Sequence, residues 1–331
     1  MHLHFETRAD KPAVFKITQQ LVEEAAARNR AAAGVRLTVG ADLKDAGALA
    51  AATGLVTSND IVRDAAFPRA DLARRAPRLR WIHIIGAGIE PLLPLDWLPR
   101  QVALTTNSGV HVEKTGEFAA MALLMLNYRL PEILGHQQER RWQPIFTPSI
   151  AGKTVVIVGL GDMGGTAARQ AKRLGLSVIG VRRAPRAHRY ADEVIGIAAL
   201  PRALGRADFL FVAAPLTADT RNLIDRQTLL GIKRGAGLVN VGRAAVVDYA
   251  AVAEALRDGT LSGAVLDVFA PEPLPPDSPL WTTPNLVVMP HCSSDDLARY
   301  LPLTLDLVFA NLARLTAGRA LKNRVSRKRG Y

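Results

Sequence analysis

The sequence predicts an α/β protein of two doubly wound parallel-sheet units, on three observations. Its 331 residues suffice for about two domains of ordinary size. Short apolar runs alternate with helical patterns in two separate series, and alternation of that kind implies parallel sheets covered on both faces. The chain is 49% hydrophobic and 22% charged, which suits a packed core. In the first hundred residues the strands are "LHF", "VRLTV", "GLVTS" and "LRWIHIIG", separated by helical patterns over 12–29, 42–51 and 69–76. Next comes a long apolar helix starting in "GEFAAMALLMLNYRLP" and ending near Pro131, then an irregular arm. The second series runs through "KTVVIVGLGDMG", "LSVIGVRR", "ADFLFVAAP", "GAGLVNVG" and "LSGAVLDVF".

The second series opens on Gly159, Gly161 and Gly164, with Leu160, Asp162 and Met163 between them, after an apolar strand and at the start of a helix. That is the context a dinucleotide-binding turn requires: a tight turn, room for a pyrophosphate, and phosphate at a positive helix terminus. In the NAD-binding version an acidic residue about twenty positions on bonds the ribose hydroxyls. Here Arg182 and Arg183 stand 23 and 24 positions after Gly159, with Arg186 close behind. A carboxylate there would repel a 2′-phosphate, whereas guanidinium groups hold one bidentately. The sequence therefore points to NADP, as NADPH, with NAD as the alternative cofactor.

Three polar residues follow strands: Arg243 after "GLVNVG", Glu272 after "AVLDVFAP" and His291 after "NLVVMP". Ligands of open α/β sheets bind outside the carboxyl ends of strands. Together the three supply a proton donor, a carboxylate to orient it and a fixed cation, which reduction of a charged carbonyl compound requires.

Other classes find less support. The net charge of +12 comes from dispersed basic residues, apart from 182–189 and the tail "KNRVSRKRGY", without zinc-finger spacing or an aromatic-and-basic RNA motif, so no nucleic-acid partner is expected. No apolar run approaches the roughly 18 residues of a membrane span, and the first thirty residues hold no leader-like apolar stretch. The single cysteine, Cys292, fits a reducing, cytoplasmic setting and reads as a small packed residue. His2 and His4 share a strand face but make a poor metal site, so no metal is expected.

The stretch "GLVNVGRAAVVDYAAVAEALRDGTLSGAVLDVFAPEPLPPDSPLWTTPNLVVMPH" resembles the signature region of the D-isomer-specific 2-hydroxyacid dehydrogenases. "IIGAGIE", "TTNSGVHVEKTGEFAAMALL" and "AAPLTADTRNLID" are similar too, and the basic stretch resembles the NADPH-using glyoxylate and hydroxypyruvate reductase branch. The resemblance covers about residues 80–331. It implies a Rossmann dinucleotide-binding domain, 108–292, inserted into a flavodoxin-like substrate domain, 1–107 completed by 293–331. It further implies that the carboxylate of a 2-oxo acid rests on backbone N–H groups of Gly86, Ala87 and Gly88 and on Arg243. His291 would protonate the carbonyl, and Glu272 would hold the imidazole. Asp267 would meet the nicotinamide carboxamide, while Pro215, Thr220 and Val241 line the cofactor groove. A homodimer through the helix and arm of 113–150 is implied as well.

Three departures accompany the resemblance: "GRA" in place of a common "GRG", "CSS" after the histidine in place of a glycine-containing turn, and Gly116 in place of a frequent alanine. The fold also hosts formate and phosphite dehydrogenases and an NAD(H)-sensing corepressor. The formate enzyme resembles a pattern with glutamine where Glu272 stands.

Overall fold

A computed structural model describes residues 1–328 and 330. The chain divides into two compact units, Met1–His111 with Asp295–Tyr331, and Val112–Ser294. The turning points expected near 107 and 292 fall just before these divisions.

The first unit holds a parallel sheet of β1 (His2–Thr7), β2 (Arg36–Ala41), β3 (Gly54–Thr57), β4 (Trp81–Ile84) and β5 (Ala103–Thr106), in the order β2-β1-β3-β4-β5. That is the flavodoxin-like order. Alternate residues supply two cores. Leu55, Ile82, Ile84 and Leu104 pack on one face, while Leu3, Phe5, Val56 and Trp81 meet Leu305, Val308 and Phe309 of the helix Tyr300–Thr316 on the other. β5 is absent from the sequence reading because "ALTT" is short and half polar. The helical patterns also shrink to what their caps permit: Thr18 caps Gln19–Arg28, Asp45 caps Ala46–Ala51, and only Leu72–Arg75 forms within 69–76.

The second unit holds β6 (Thr154–Val158), β7 (Ser177–Val181), β8 (Glu193–Ile195), β9 (Phe209–Val212), β10 (Ala236–Asn240), β11 (Leu261–Leu266) and β12 (Leu286–Val288). Their order is β12-β11-β10-β9-β6-β7-β8, all parallel. The direction of winding reverses between β9 and β6, which places a topological switch point beside the glycine turn after β6. Val156, Val158, Leu210 and Leu238 face one core, and Val155, Ile157, Phe211 and Val239 the other. Burial on both faces explains why these strands read as continuous apolar runs.

The helix expected to end near Pro131 ends earlier. Val112–Asn127 stops, Arg129 turns left-handed at φ 52°, and Leu130–Gln138 begins a second helix with Pro131 in its first turn. A first-turn proline sacrifices no hydrogen bond, because that N–H has no helical partner. Gly116 has a packing reason: a Cβ there would lie 2.9 Å from Thr166 Oγ1 of the helix Asp162–Arg173.

Candidate active site

The glycine turn fits a dinucleotide. Gly159 has φ +93°, and a Cβ on it would stand 2.9 Å from the backbone of Ala213 and Ala214. A Cβ on Gly164 would sit 1.7 Å from Gly159 O, so strand end and helix touch through both glycines. Gly161, the N-cap of Asp162–Arg173, faces open space, which leaves its backbone approachable. Leu160 is buried, Met163 packs against the core, and Asp162 occupies the first helical turn. Arg182, Arg183 and Arg186 follow β7, the first half-buried and the other two exposed.

Pro215 and Thr220 form one loop: the Thr220 hydroxyl donates to Pro215 O at 2.6 Å and accepts from Thr217 N at 2.8 Å. Thr220 thus spends its side chain on shaping the turn. Val241 is buried, and its N–H donates to Val212 O at 3.0 Å.

Glu272 and His291 come together. The imidazole Nδ1 lies 2.8 Å from Glu272 Oε2, and Glu272 Oε1 accepts the Phe269 N–H at 2.7 Å. An ionised carboxylate only accepts, so the shared proton belongs to Nδ1, and the half-exposed ring presents Nε2 as its second nitrogen. His291 itself has φ 50°, a costly conformation for a residue with a Cβ.

Asp267 holds that turn. Its Oδ1 accepts the N–H groups of Cys292 at 3.0 Å and Ser293 at 3.1 Å, and its Oδ2 accepts the Ser293 hydroxyl at 2.6 Å. Ser293 Oγ is in turn 3.3 Å from Ser294 Oγ, which accepts from Thr115 Oγ1 at 2.9 Å. The "CSS" departure therefore adds a hydroxyl chain that anchors the segment after the histidine. Burial pushes the Asp267 carboxyl above its ordinary range; the Ser293 and Cys292 hydrogen bonds and the nearby His291 oppose that shift. Cys292 corrects an expectation: with its N–H turned onto Asp267 it is exposed, not packed.

Arg243 is set by residues that sequence reasoning missed. Buried Asn240, the last residue of β10, accepts from Gly242 N at 3.0 Å and donates to Arg243 O at 3.2 Å and Tyr249 Oη at 2.9 Å. Tyr249 donates to Val268 O at 2.6 Å, tying the Arg243 turn to the segment that carries Glu272. Burial raises the Tyr249 hydroxyl far above its ordinary value, which keeps it a donor. Ala244 begins a short 3₁₀ turn and needs no left-handed conformation, so the missing glycine of "GRA" leaves no strain.

In the first unit Gly86, Ala87 and Gly88 follow β4. Asn59 Nδ2 donates to Gly88 O at 2.8 Å and Asn107 N donates to Gly86 O at 3.0 Å, so the carbonyls of both glycines are held.

Residues 120–293 match the family described as "D-isomer specific 2-hydroxyacid dehydrogenase, NAD binding domain". The chain is 34% identical over 254 residues, 75% of its length and 77% of the relative's, to glyoxylate/hydroxypyruvate reductase B of Pectobacterium carotovorum. It is 32% identical over 231 residues, 68% and 70% of the two lengths, to a glyoxylate reductase of Korarchaeum cryptofilum. Among solved structures it is similar to the NADPH-dependent glyoxylate/hydroxypyruvate reductase of Sinorhizobium meliloti in complex with NADP and sulfate, with a TM-score of 0.81, 28% identity and coverage of 100% and 99%. A D-isomer-specific 2-hydroxyacid dehydrogenase of Xanthobacter autotrophicus in complex with NADPH and MES gives a TM-score of 0.82, 29% identity and coverage of 99% of both chains.

Proposed function

The chain belongs to the D-isomer-specific 2-hydroxyacid dehydrogenase family, and from that premise we propose that it reduces a small 2-oxo acid of the glyoxylate or hydroxypyruvate kind with NADPH, giving the D-2-hydroxy acid. The observation that carries this reading is the His291–Glu272 bond at the strand ends. Glu272 fixes the ring, and the imidazolium form of His291 gives its Nε2 proton to the substrate carbonyl oxygen as that becomes an alkoxide, leaving a neutral ring whose remaining proton is the Nδ1–H held by Glu272. The reduced nicotinamide, when bound, supplies hydride to the carbonyl carbon. Arg243 is the cation for the substrate carboxylate, and the N–H groups of Gly86, Ala87 and Gly88 are donors of the kind a carboxylate takes. Asp267 keeps lone pairs enough to accept a carboxamide N–H beside its existing partners. Arg182 and Arg183 favour NADPH over NADH.

Residues 108–292 would then serve the dinucleotide, with 1–107 and 293–331 serving the substrate. A homodimer through 113–150 belongs to the same reading, supported by the exposure of Met121, Leu134, Trp142 and Phe146, the last two at 99% and 92%. No described helix is long and apolar enough to cross a membrane. A cytoplasmic setting would keep Cys292 reduced.

The test is NADPH oxidation against a panel of 2-oxo acids, repeated with NADH. Saturable oxidation with small 2-oxo acids, faster with NADPH, is the expected outcome. A protein that turns over none of them is not such a reductase.

A further inference from the structure

The basic loop after β7 contains a histidine that the reading above leaves unused. His188 lies between Arg186 and Arg189, and its ring folds back onto the helix Asp162–Arg173. Nε2 stands 3.2 Å from the point a Cβ on Gly165 would occupy, so the ring rests on the first turn of the helix that the glycine motif opens. Even an alanine at 165 would require the ring to give by a few tenths of an ångström. Nδ1 accepts the Tyr190 N–H at 3.3 Å, which leaves the proton of the neutral ring on Nε2. The donor edge of His188 is thereby held at the positive end of a helix, on the same loop as Arg182.

We propose that His188 is a further ligand of the cofactor's 2′-phosphate, taking up a proton as that phosphate arrives. This rests on the reading that Arg182 and Arg183 select NADPH. Burial, and next the charge of Arg182, hold the free imidazole below its ordinary range, so it is mostly neutral near pH 7. On its own loop stand Arg189, stacked over Tyr190 at 5.1 Å, and Tyr190 itself, with its ring 6.0 Å from the imidazole; on the helix, Asp162 and Arg169 lie about one turn to either side of Gly165. A phosphate dianion reverses the local field set by Arg182 and favours imidazolium. The site then gains a charge-assisted donor only when NADPH is bound, and more of it at lower pH. NADH offers no such anion and should show no such dependence.

The test uses binding alone. Dissociation constants of NADPH and NADH are measured by nicotinamide fluorescence at pH 6.5 and 8.0, at constant ionic strength, for wild type and His188→Gln. The glutamine keeps an amide donor but does not titrate. In wild type the preference for NADPH should rise roughly threefold to tenfold from pH 8.0 to 6.5, below the ceiling of tenfold per pH unit for one proton. In His188→Gln it should stay flat, with the NADH constant unchanged as a check on folding. Protonation of the phosphate itself, with a pKa of about 6, works in the opposite direction and cannot imitate the rise. A wild-type preference that does not change with pH, or a rise that persists in His188→Gln, overturns the proposal. A wild type that binds NADH more tightly at both pH values overturns the NADPH reading beneath it.

Discussion

The two sheets bury their polar side chains in different places, and the difference separates structural groups from chemical ones. In the first unit polar residues lie within the strands. His2 Nε2 and His4 Nδ1 are each 2.8 Å from Thr38 Oγ1, and His4 Nε2 is 2.9 Å from Glu6 Oε2. Trp81 Nε1 donates to Thr105 Oγ1 at 2.8 Å; that hydroxyl is 2.9 Å from His83 Nδ1, and His83 Nε2 is 3.3 Å from Asn107 Oδ1. Asn107 then donates to Thr304 at 2.7 Å. Apart from His2 Nδ1, which has no hydrogen-bond partner, the ring and side-chain atoms named here satisfy one another within the unit, as buried polar groups mostly do. In the second unit the buried strand residues are apolar up to Asn240, and Asn240, Asp267, Glu272 and His291 stand at or beyond the carboxyl ends of β10, β11 and β12. There the network stops at a half-exposed imidazole instead of closing on itself.

The sharpest break of that comparison is His291→Ala. Turnover should fall by roughly 10² to 10⁴, the usual worth of a positioned acid–base group. NADPH binding and the thermal midpoint should stay close to wild type, as calorimetry and cofactor titration would show. Glu6→Ala is the reverse case. It strands His4 Nε2 and the Leu43 N–H, which Glu6 Oε1 accepts at 3.0 Å. Leaving buried partners unpaired should cost about 2 to 5 kcal/mol in denaturant unfolding, while kcat per folded molecule is retained.

A third contrast concerns pH. Burial pushes the His83 imidazole down to about 4 in the folded protein. Unfolded chains carry a histidine near 6.5, so they bind the proton first as the medium is acidified. Stability contributed by neutral His83 is therefore full above about pH 6.5 and is lost as pH falls towards 4, by up to about 3 kcal/mol. Unfolding free energies of His83→Gln across that range should show a shallower acid slope than wild type; an identical slope would remove His83 from the account.

The smallest effect is expected at Ser293. Ser293→Ala removes the 2.6 Å hydrogen bond to Asp267 Oδ2 but leaves both backbone donors on Oδ1. A loss of about tenfold in kcat, near 1.4 kcal/mol, is expected. Without that hydroxyl, burial should push the Asp267 carboxyl further up, so the acid limb of the kcat–pH profile should move to higher pH. A merely structural role for Ser293 would leave the limb in place.

The sequence shows the sheets more readily than the site. Apolar runs bounded by turn residues mark most strands, but "ALTT" and the three-residue "EVI" of β8 are too short or too polar to announce themselves. The break at Tyr128–Arg129 carries no glycine or proline; Pro131, which does, belongs to the next helix. Arg243, Glu272 and His291 stand out in the sequence because each comes within about six residues of the end of an apolar strand, where a charged or titratable side chain can face a ligand. Asn240, Tyr249 and Ser293 are not, since each looks like an ordinary turn, helix or loop residue until the fold brings it to a partner 9, 19 or 26 positions away.

The most direct test of the central claim is the configuration of the product formed from hydroxypyruvate and NADPH, read by chiral chromatography against the NADPH consumed. The account predicts D-glycerate in a one-to-one ratio, formed roughly 10² to 10⁴ times more slowly in His291→Ala at unchanged NADPH binding. L-glycerate, or NADPH consumption that continues undiminished without His291, would contradict it.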